Sequence, residues 1–183
     1  GSNNQVFRAV RIADRKPVVI KVPRSEYPST RDLARLYNEY HLLRQVHSPS
    51  SGPNQASAGS PPAVAGIVQV YGLERFGRSA ALILESLPGQ SLYGLLKSRQ
   101  LTIAECLSLA IKLTHCLETL HARQIVHRDI KPSNILVDDS LETTHLIDFG
   151  IALMLGHEPS EAIESSEHVE GTPAYLPPEQ SGR

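Results

Sequence analysis

Asp129, Lys131 and Asn134 stand within one short stretch, His127-Arg128-Asp129-Ile130-Lys131-Pro132-Ser133-Asn134, and Asp148-Phe149-Gly150 follows nineteen residues after its aspartate. Together they offer a carboxylate to take a proton from a hydroxyl, a cation to meet a transferring phosphate, and an amide and a second carboxylate to hold a metal ion. Phosphoryl transfer needs in-line positioning and charge neutralisation more than covalent chemistry, so its side chains are few and come from separated elements. A surface turn favours the same residue types. It has no need of an Asp-Phe-Gly sequence at a fixed distance.

These groups require a scaffold, and the chain supplies signals for one. Val6 to Val10 and Val18 to Val22 are β-branched, partly alternating runs separated by the polar Asp14-Arg15-Lys16-Pro17, which predicts a hairpin. From Ser29 to Val46, Leu33, Leu36, Tyr40 and Leu43 recur every three to four residues, with Ser29 or Thr30 and the nearby Asp32 as an N-terminal cap. That predicts an amphipathic helix. Residues 48–63 are dominated by Ser, Pro, Gly, Ala and Asn and read as a flexible loop. Ile67 to Leu73 and Ser79 to Glu85 read as further strands, so a five-stranded sheet with one helix is expected over residues 1–87.

Pro88-Gly89 then breaks the pattern, and the composition turns helical. Leu92, Leu95 and Leu96 predict a short helix. Thr102 to His121 predicts a long one, whose face of Ile103, Leu107, Ala110, Ile111, Leu117 and Leu120, widened by Leu109, Leu113 and Cys116, should make it a core helix. Ile135 to Val137 and His145 to Ile147 should be short strands, and Leu155 to Glu170 a polar, mobile loop.

With 183 residues and 40% hydrophobic content, one sizeable core can form. Its 18 basic and 19 acidic residues leave no charge excess to drive binding to nucleic acid or an anionic membrane. Cys106 and Cys116 lie about 15 Å apart along one predicted helix and cannot bridge, which fits a reduced, cytoplasmic setting. No apolar run approaches the roughly 18 residues of a membrane span, and no signal-peptide pattern opens the chain. It begins Gly1-Ser2 and holds a single methionine, Met154, so it is expected to be a piece of a longer protein.

The residues quoted at the outset, with Val18-Val19-Ile20-Lys21 and Gly171-Thr172-Pro173-Ala174-Tyr175-Leu176-Pro177-Pro178-Glu179, resemble the catalytic domain of eukaryotic-type protein kinases of the Ser/Thr type. The resemblance implies an α+β, two-lobed fold: a small antiparallel sheet with a helix over residues 1–87, then the first part of a helical lobe over 88–183. It implies ATP and Mg²⁺ as cofactors and a protein substrate. Asp129 matches the catalytic base, Lys131 the phosphate-contacting lysine, and Thr172 the threonine that helps seat the acceptor. Asn134 and Asp148 match the metal ligands. Lys21 matches the lysine that holds the α and β phosphates, and Glu39 the carboxylate that pairs with it.

By register with these motifs, Val6, Val19, Leu136 and the Glu85 to Leu87 hinge should sandwich adenine, with Leu84 as gatekeeper. Leu43, Val70, Phe149 and His127 should form the stacked regulatory column. A phosphate on Ser160, Ser165 or Ser166 could be gripped by Arg128.

Departures from the family pattern also carry meaning. Val19 replaces the usual alanine and adds bulk against adenine. Aligning Val6 to the valine after the Gly-rich loop puts Gly1 and Asn4 at its second and third glycines, so the phosphate cover is incomplete. Pro177 stands where the Ala-Pro-Glu segment has alanine. The helices that follow this segment in the family are not in the chain, so Glu179 lacks its arginine partner, the long helix should expose apolar surface, and the fragment alone is expected to be inactive. Arg24 to Pro28, Asp32 to Leu36, Tyr71 to Glu74 and Pro178 to Arg183 are similar to the amino-terminal kinase domains of very large bacterial proteins that continue into an ATPase module and a sensor histidine kinase. Two other functions use the same fold: a noncatalytic nucleotide-binding module, and a small-molecule phosphotransferase, which typically has Gly at the Arg128 position and no Lys131.

Overall fold

The hairpin expected from the first two β-branched runs forms as β1 (Asn4–Val10) and β2 (Pro17–Pro23), paired antiparallel from Asn4 opposite Pro23 to Val10 opposite Pro17. Its turn is closed by Arg11 N donating to Lys16 O at 2.8 Å and by an ion pair between Arg11 and Asp14. The computed structural model describes residues 3–48, 64–156 and 171–175. Gly1, nearly all of the loop expected over 48–63, Ser160, Ser165, Ser166 and Pro177 to Glu179 lie outside the described residues.

Helix α1 (Thr30–His47) starts on a capping box, with the Ser29 side chain accepting from Asp32 N and the Asp32 carboxylate accepting from Ser29 N. Such a cap is worth about 1 kcal/mol. Leu36, Leu42, Leu43 and Val46 bury the helix against β3 (Val70–Phe76) and β4 (Ser79–Glu85). Each contributes about 1.5–3 kcal/mol by leaving water. At its end His47 is clamped: its Nδ1 accepts from Val64 N at 3.1 Å, so its Nε2 carries the proton and donates to Val68 O at 3.0 Å.

The antiparallel sheet runs β1-β2-β4-β3. Among the described residues it has four strands against the five expected, because residues 3–87 contain only four β-rich runs. The third strand also begins three residues later than expected. Gly66 turns the chain at φ +77°, and Ile67 pairs instead with Leu146 in a parallel bridge. Only glycine fits there, since a Cβ would stand 2.2 Å from the Cys116 sulfur.

Beyond Pro88, β5 (Gln90–Ser91) leads into α2 (Leu92–Ser98), which is capped by Ser91. Helix α3 (Ile103–His121) follows behind a second capping box of Thr102 and Glu105. Short strands β6 (Ile125–Val126), β7 (Ile135–Val137), β8 (Thr144–Leu146) and β9 (Leu153–Met154) pair as β5-β7-β8 and β6-β9. The reading of α3 as a core helix is corrected, and the exposure of apolar surface expected for it is present. Leu109, Cys116 and Leu120 are buried, but Ile103, Leu107 and Ile111 are 81%, 60% and 58% exposed. Among the described residues α3 packs on β6 and β8, and its other flank faces outward.

Candidate active site

Strand alternation turns Val19 and Lys21 toward the same face of β2, where Lys21 lies between Val6 of β1 and Leu82 of β4. On α1, Glu39 shares its buried face with Leu36 and Leu43. The Lys21 ammonium donates to Glu39 Oε2 at 2.6 Å and to Asp148 Oδ1 at 2.6 Å. Burial alone would depress this lysine, but the two carboxylates outweigh it and hold its pKa above the usual value. Burial pushes Glu39 upward, with Asp148 adding repulsion, whereas for Asp148 the Lys21 cation overcomes burial and pulls the carboxyl down. Of two carboxylates sharing one cation, Asp148 is the more firmly ionised.

Opposite this cluster, the segment after β6 is built on an imidazole. His127 Nδ1 accepts from Asp129 N at 3.3 Å, so its proton sits on Nε2 and is donated to Ile147 O at 3.1 Å. Burial holds its pKa below the usual histidine value and favours this neutral form. The ring also meets Phe149 edge-on at 4.7 Å, and both are fully buried. Leu43 is fully buried and Val70 half-buried in the same core.

Asn134 closes a 3₁₀ turn (Pro132–Asn134) and donates through Nδ2 to the backbone and carboxylate oxygens of Asp129, each at 2.9 Å. Lys131 donates to Asp129 Oδ2 at 2.6 Å and to Thr172 Oγ1 at 2.7 Å, while Thr172 donates to Asp129 Oδ1 at 3.0 Å. Arg128 and Asp148 both adopt left-handed backbone, at φ +66° and +67°. For a non-glycine residue that stores of order 1–3 kcal/mol and persists only where surroundings enforce it.

All these groups open into one cleft of about 910 Å³. The charged lining includes Lys21, Glu39, Asp129, Lys131 and Asp148, with Asn134 and Thr172 beside them. Val6, Val19, Leu84, Leu87 and Leu136 supply an apolar end, next to Glu85. Every site residue expected from sequence that lies among the described residues therefore meets in one place. The cleft also takes in Asp32, read from sequence only as a helix cap, and Arg35, which was not singled out although it lies one helical turn before Glu39 on the same face.

Asn38 was missed as well. It stands beside Glu39 and donates to the carbonyls of Phe149, Gly150 and Ala152, and a single amide within a helix carries no periodic or motif signal.

The donor set suits a hard divalent cation. Asp148 is an ionised carboxylate, and both bonds of the Asn134 amide nitrogen are spent on Asp129, which leaves its oxygen to offer. Among the described residues no group of three or more His, Cys, Asp or Glu could hold a metal alone. Mg²⁺ bound through one or two protein oxygens, with phosphate oxygens and water completing the shell, fits that pattern.

The protein kinase domain model matches residues 1–182. The chain is similar to serine/threonine-protein kinase pkn2 of Myxococcus xanthus, 28% identical over an alignment of 184 positions that covers 99% of this chain and 20% of that protein. It is also similar to serine/threonine-protein kinase PknA of Mycobacterium tuberculosis, 29% identical over 99% of this chain and 39% of that protein. To the LRR receptor-like serine/threonine-protein kinase EFR of Arabidopsis thaliana it is 47% identical over 88 residues, 45% of this chain and 8% of that one. The chain thus spans between a fifth and two fifths of the length of its two bacterial relatives. With this match and the α+β architecture, the chain belongs to the protein kinase domain family.

Proposed function

We propose that the chain carries the catalytic machinery of an ATP-dependent serine/threonine protein kinase, transferring the γ-phosphate of ATP to a protein hydroxyl. The observation that carries this reading is the three-way contact of Asp129, Lys131 and Thr172, facing the Lys21 and Glu39 pair across one cleft. Asp129 accepts the acceptor hydroxyl's proton as the oxygen attacks phosphorus. Lys131 neutralises charge on the transferred group, and Thr172 holds Asp129 in register with the acceptor. Lys21, oriented by Glu39, holds the α and β phosphates. Val6, Val19 and Leu136 sandwich adenine, with the Glu85 to Leu87 backbone reading its edge. Mg²⁺, held through Asn134 and Asp148, supplies charge neutralisation at the phosphates.

Val19 favours a second reading, a noncatalytic nucleotide-binding module, because it places a branched side chain in the lining of the cleft where the family usually has alanine. The third, a small-molecule phosphotransferase, is disfavoured by Lys131 bonded to Asp129. The test is to incubate the full-length protein with labelled ATP and a panel of proteins, peptides and sugars. Label on protein serine or threonine that disappears in Asp129→Asn supports the kinase. Nucleotide binding without transfer supports the module, label on a sugar supports the phosphotransferase, and transfer that survives Asp129→Asn refutes the proposed mechanism. Residues 1–183 alone are expected to transfer little or no phosphate, since α3 leaves much of its apolar face uncovered.

A further inference from the structure

Asp148 is held from both sides by bonds to its backbone neighbours rather than by its own side chain alone. Upstream, Ile147 N donates to Asn134 O at 3.0 Å, and His127 donates to Ile147 O at 3.1 Å. Downstream, Ala152 N closes a tight turn by donating to Phe149 O at 3.1 Å. Three carbonyls of that turn point at one donor. Asn38 Nδ2 stands 3.4 Å from Phe149 O, 3.3 Å from Gly150 O and 2.9 Å from Ala152 O. An amide nitrogen has two hydrogens for these three acceptors, so at least one bond is shared.

We infer that Asn38 is a positioning residue for the metal-holding segment. It fixes the turn after Asp148 to helix α1 and so sets the carboxylate's position whenever the helix is docked. This rests on the kinase reading for its functional consequence. The geometry has two parts. Asn38 and Glu39 are adjacent on one helix, so a single rigid element delivers Glu39 to Lys21 and the Asn38 amide to the backbone behind Asp148. In addition, Asp148 occupies a left-handed conformation that its surroundings must impose, and Asn38 anchors the chain immediately after it. Withdrawal of α1 would therefore release Asp148 twice, through loss of the Lys21 network and through loss of the carbonyl clamp. The amide is suited to this: it is uncharged and donates twice, whereas an aspartate of the same shape presents only acceptors to three carbonyl oxygens.

The experiment compares wild type, Asn38→Asp, Asn38→Leu and Asn38→Gln in the full-length protein. Two measurements are made, amide hydrogen exchange and the Mg²⁺ dependence of ATP binding. Asp and Leu should speed exchange at Ala152 and its neighbours about tenfold, the scale of one or two ordinary hydrogen bonds, with β3 and β4 unchanged. They should raise the Mg²⁺ concentration needed for half-maximal ATP binding about tenfold, with metal-free ATP affinity unchanged. Gln, which keeps the donor on a longer stem, should recover part of both. Unchanged exchange at Ala152, or faster exchange spread evenly over the sheet, overturns the inference. If wild type shows no Mg²⁺-dependent ATP binding, the kinase reading fails, and exchange at Ala152 still decides whether Asn38 positions the segment.

Discussion

Two lysines face the cleft, each bridging two oxygen partners at 2.6 to 2.7 Å, yet their surroundings differ sharply. The Lys21 side chain is 7% exposed and Glu39 1%, while Lys131 and Asp129 are 21% and 12% exposed. Desolvation makes the Lys21 and Glu39 pair expensive to assemble and more expensive to break, because either partner removed strands a charge away from water, whereas Asp148, at 32% exposed, keeps water contact. The second cluster retains water contact and can change partners at lower cost. One cluster records whether the sheet, α1 and the Asp148 segment have come together. The other is free to exchange partners.

This contrast can be broken by substitution, and the largest effect should fall on transfer. Asp129→Asn in the full-length protein should lower the rate about 10²- to 10⁴-fold with little change in the thermal midpoint. Equal losses of rate and stability would instead make Asp129 part of the scaffold. Next comes Lys21→Met, which leaves Glu39 buried without its cation and beside the Asp148 carboxylate. Urea unfolding should show a loss of about 3 kcal/mol, partly recovered by adding Glu39→Gln.

Lys131→Met sharpens the comparison from the other side. It should cost no more than about 1 kcal/mol of stability while still slowing transfer. If both lysine variants lose the same stability, exposure does not separate the clusters.

The smallest effect is on pH. His127 and His145 have pKa values lowered first by burial, so the stability they supply is complete above the ordinary histidine value and declines as pH falls below it. Asp148, lowered by Lys21 against burial, acts in the same direction below the ordinary aspartate range. Glu39, raised by burial, works the opposite way: its contribution is present at low pH and is lost as pH rises through its elevated pKa. A melt series should therefore show a shallow fall between about pH 7 and 5.5, reduced in His127→Gln, and a steeper one below about pH 4 that Asp148→Asn diminishes.

Much of the site was legible because its chemistry is written in local spacing. Asp129, Lys131 and Asn134 fall within one short stretch, and Lys21 and Glu39 lie on a strand and on the inward face of a helix, where period-two and period-3.6 patterns fix direction. What escaped the sequence depended on partners far along the chain. Asn38 acts on carbonyls more than a hundred residues away. The start of β3 was displaced by Ile67 pairing with β8, and the apolar stripe of α3 indicated a face to be covered without saying by what. A count of five strands over residues 1–87 exceeded the four runs the sequence itself offers.

The His47 clamp has an engineering consequence. The His47 imidazole grips the chain at Val64 and Val68, immediately after the fifteen residues 49–63, while its own backbone ends α1. The distance between the two ends is thereby set by the imidazole rather than by the span that joins them. Lengthening that span twofold should cost only about 0.6 kcal/mol of closure entropy. A reporter or tether inserted between Ser48 and Val64 is therefore expected to leave Glu39 and Lys21 in place.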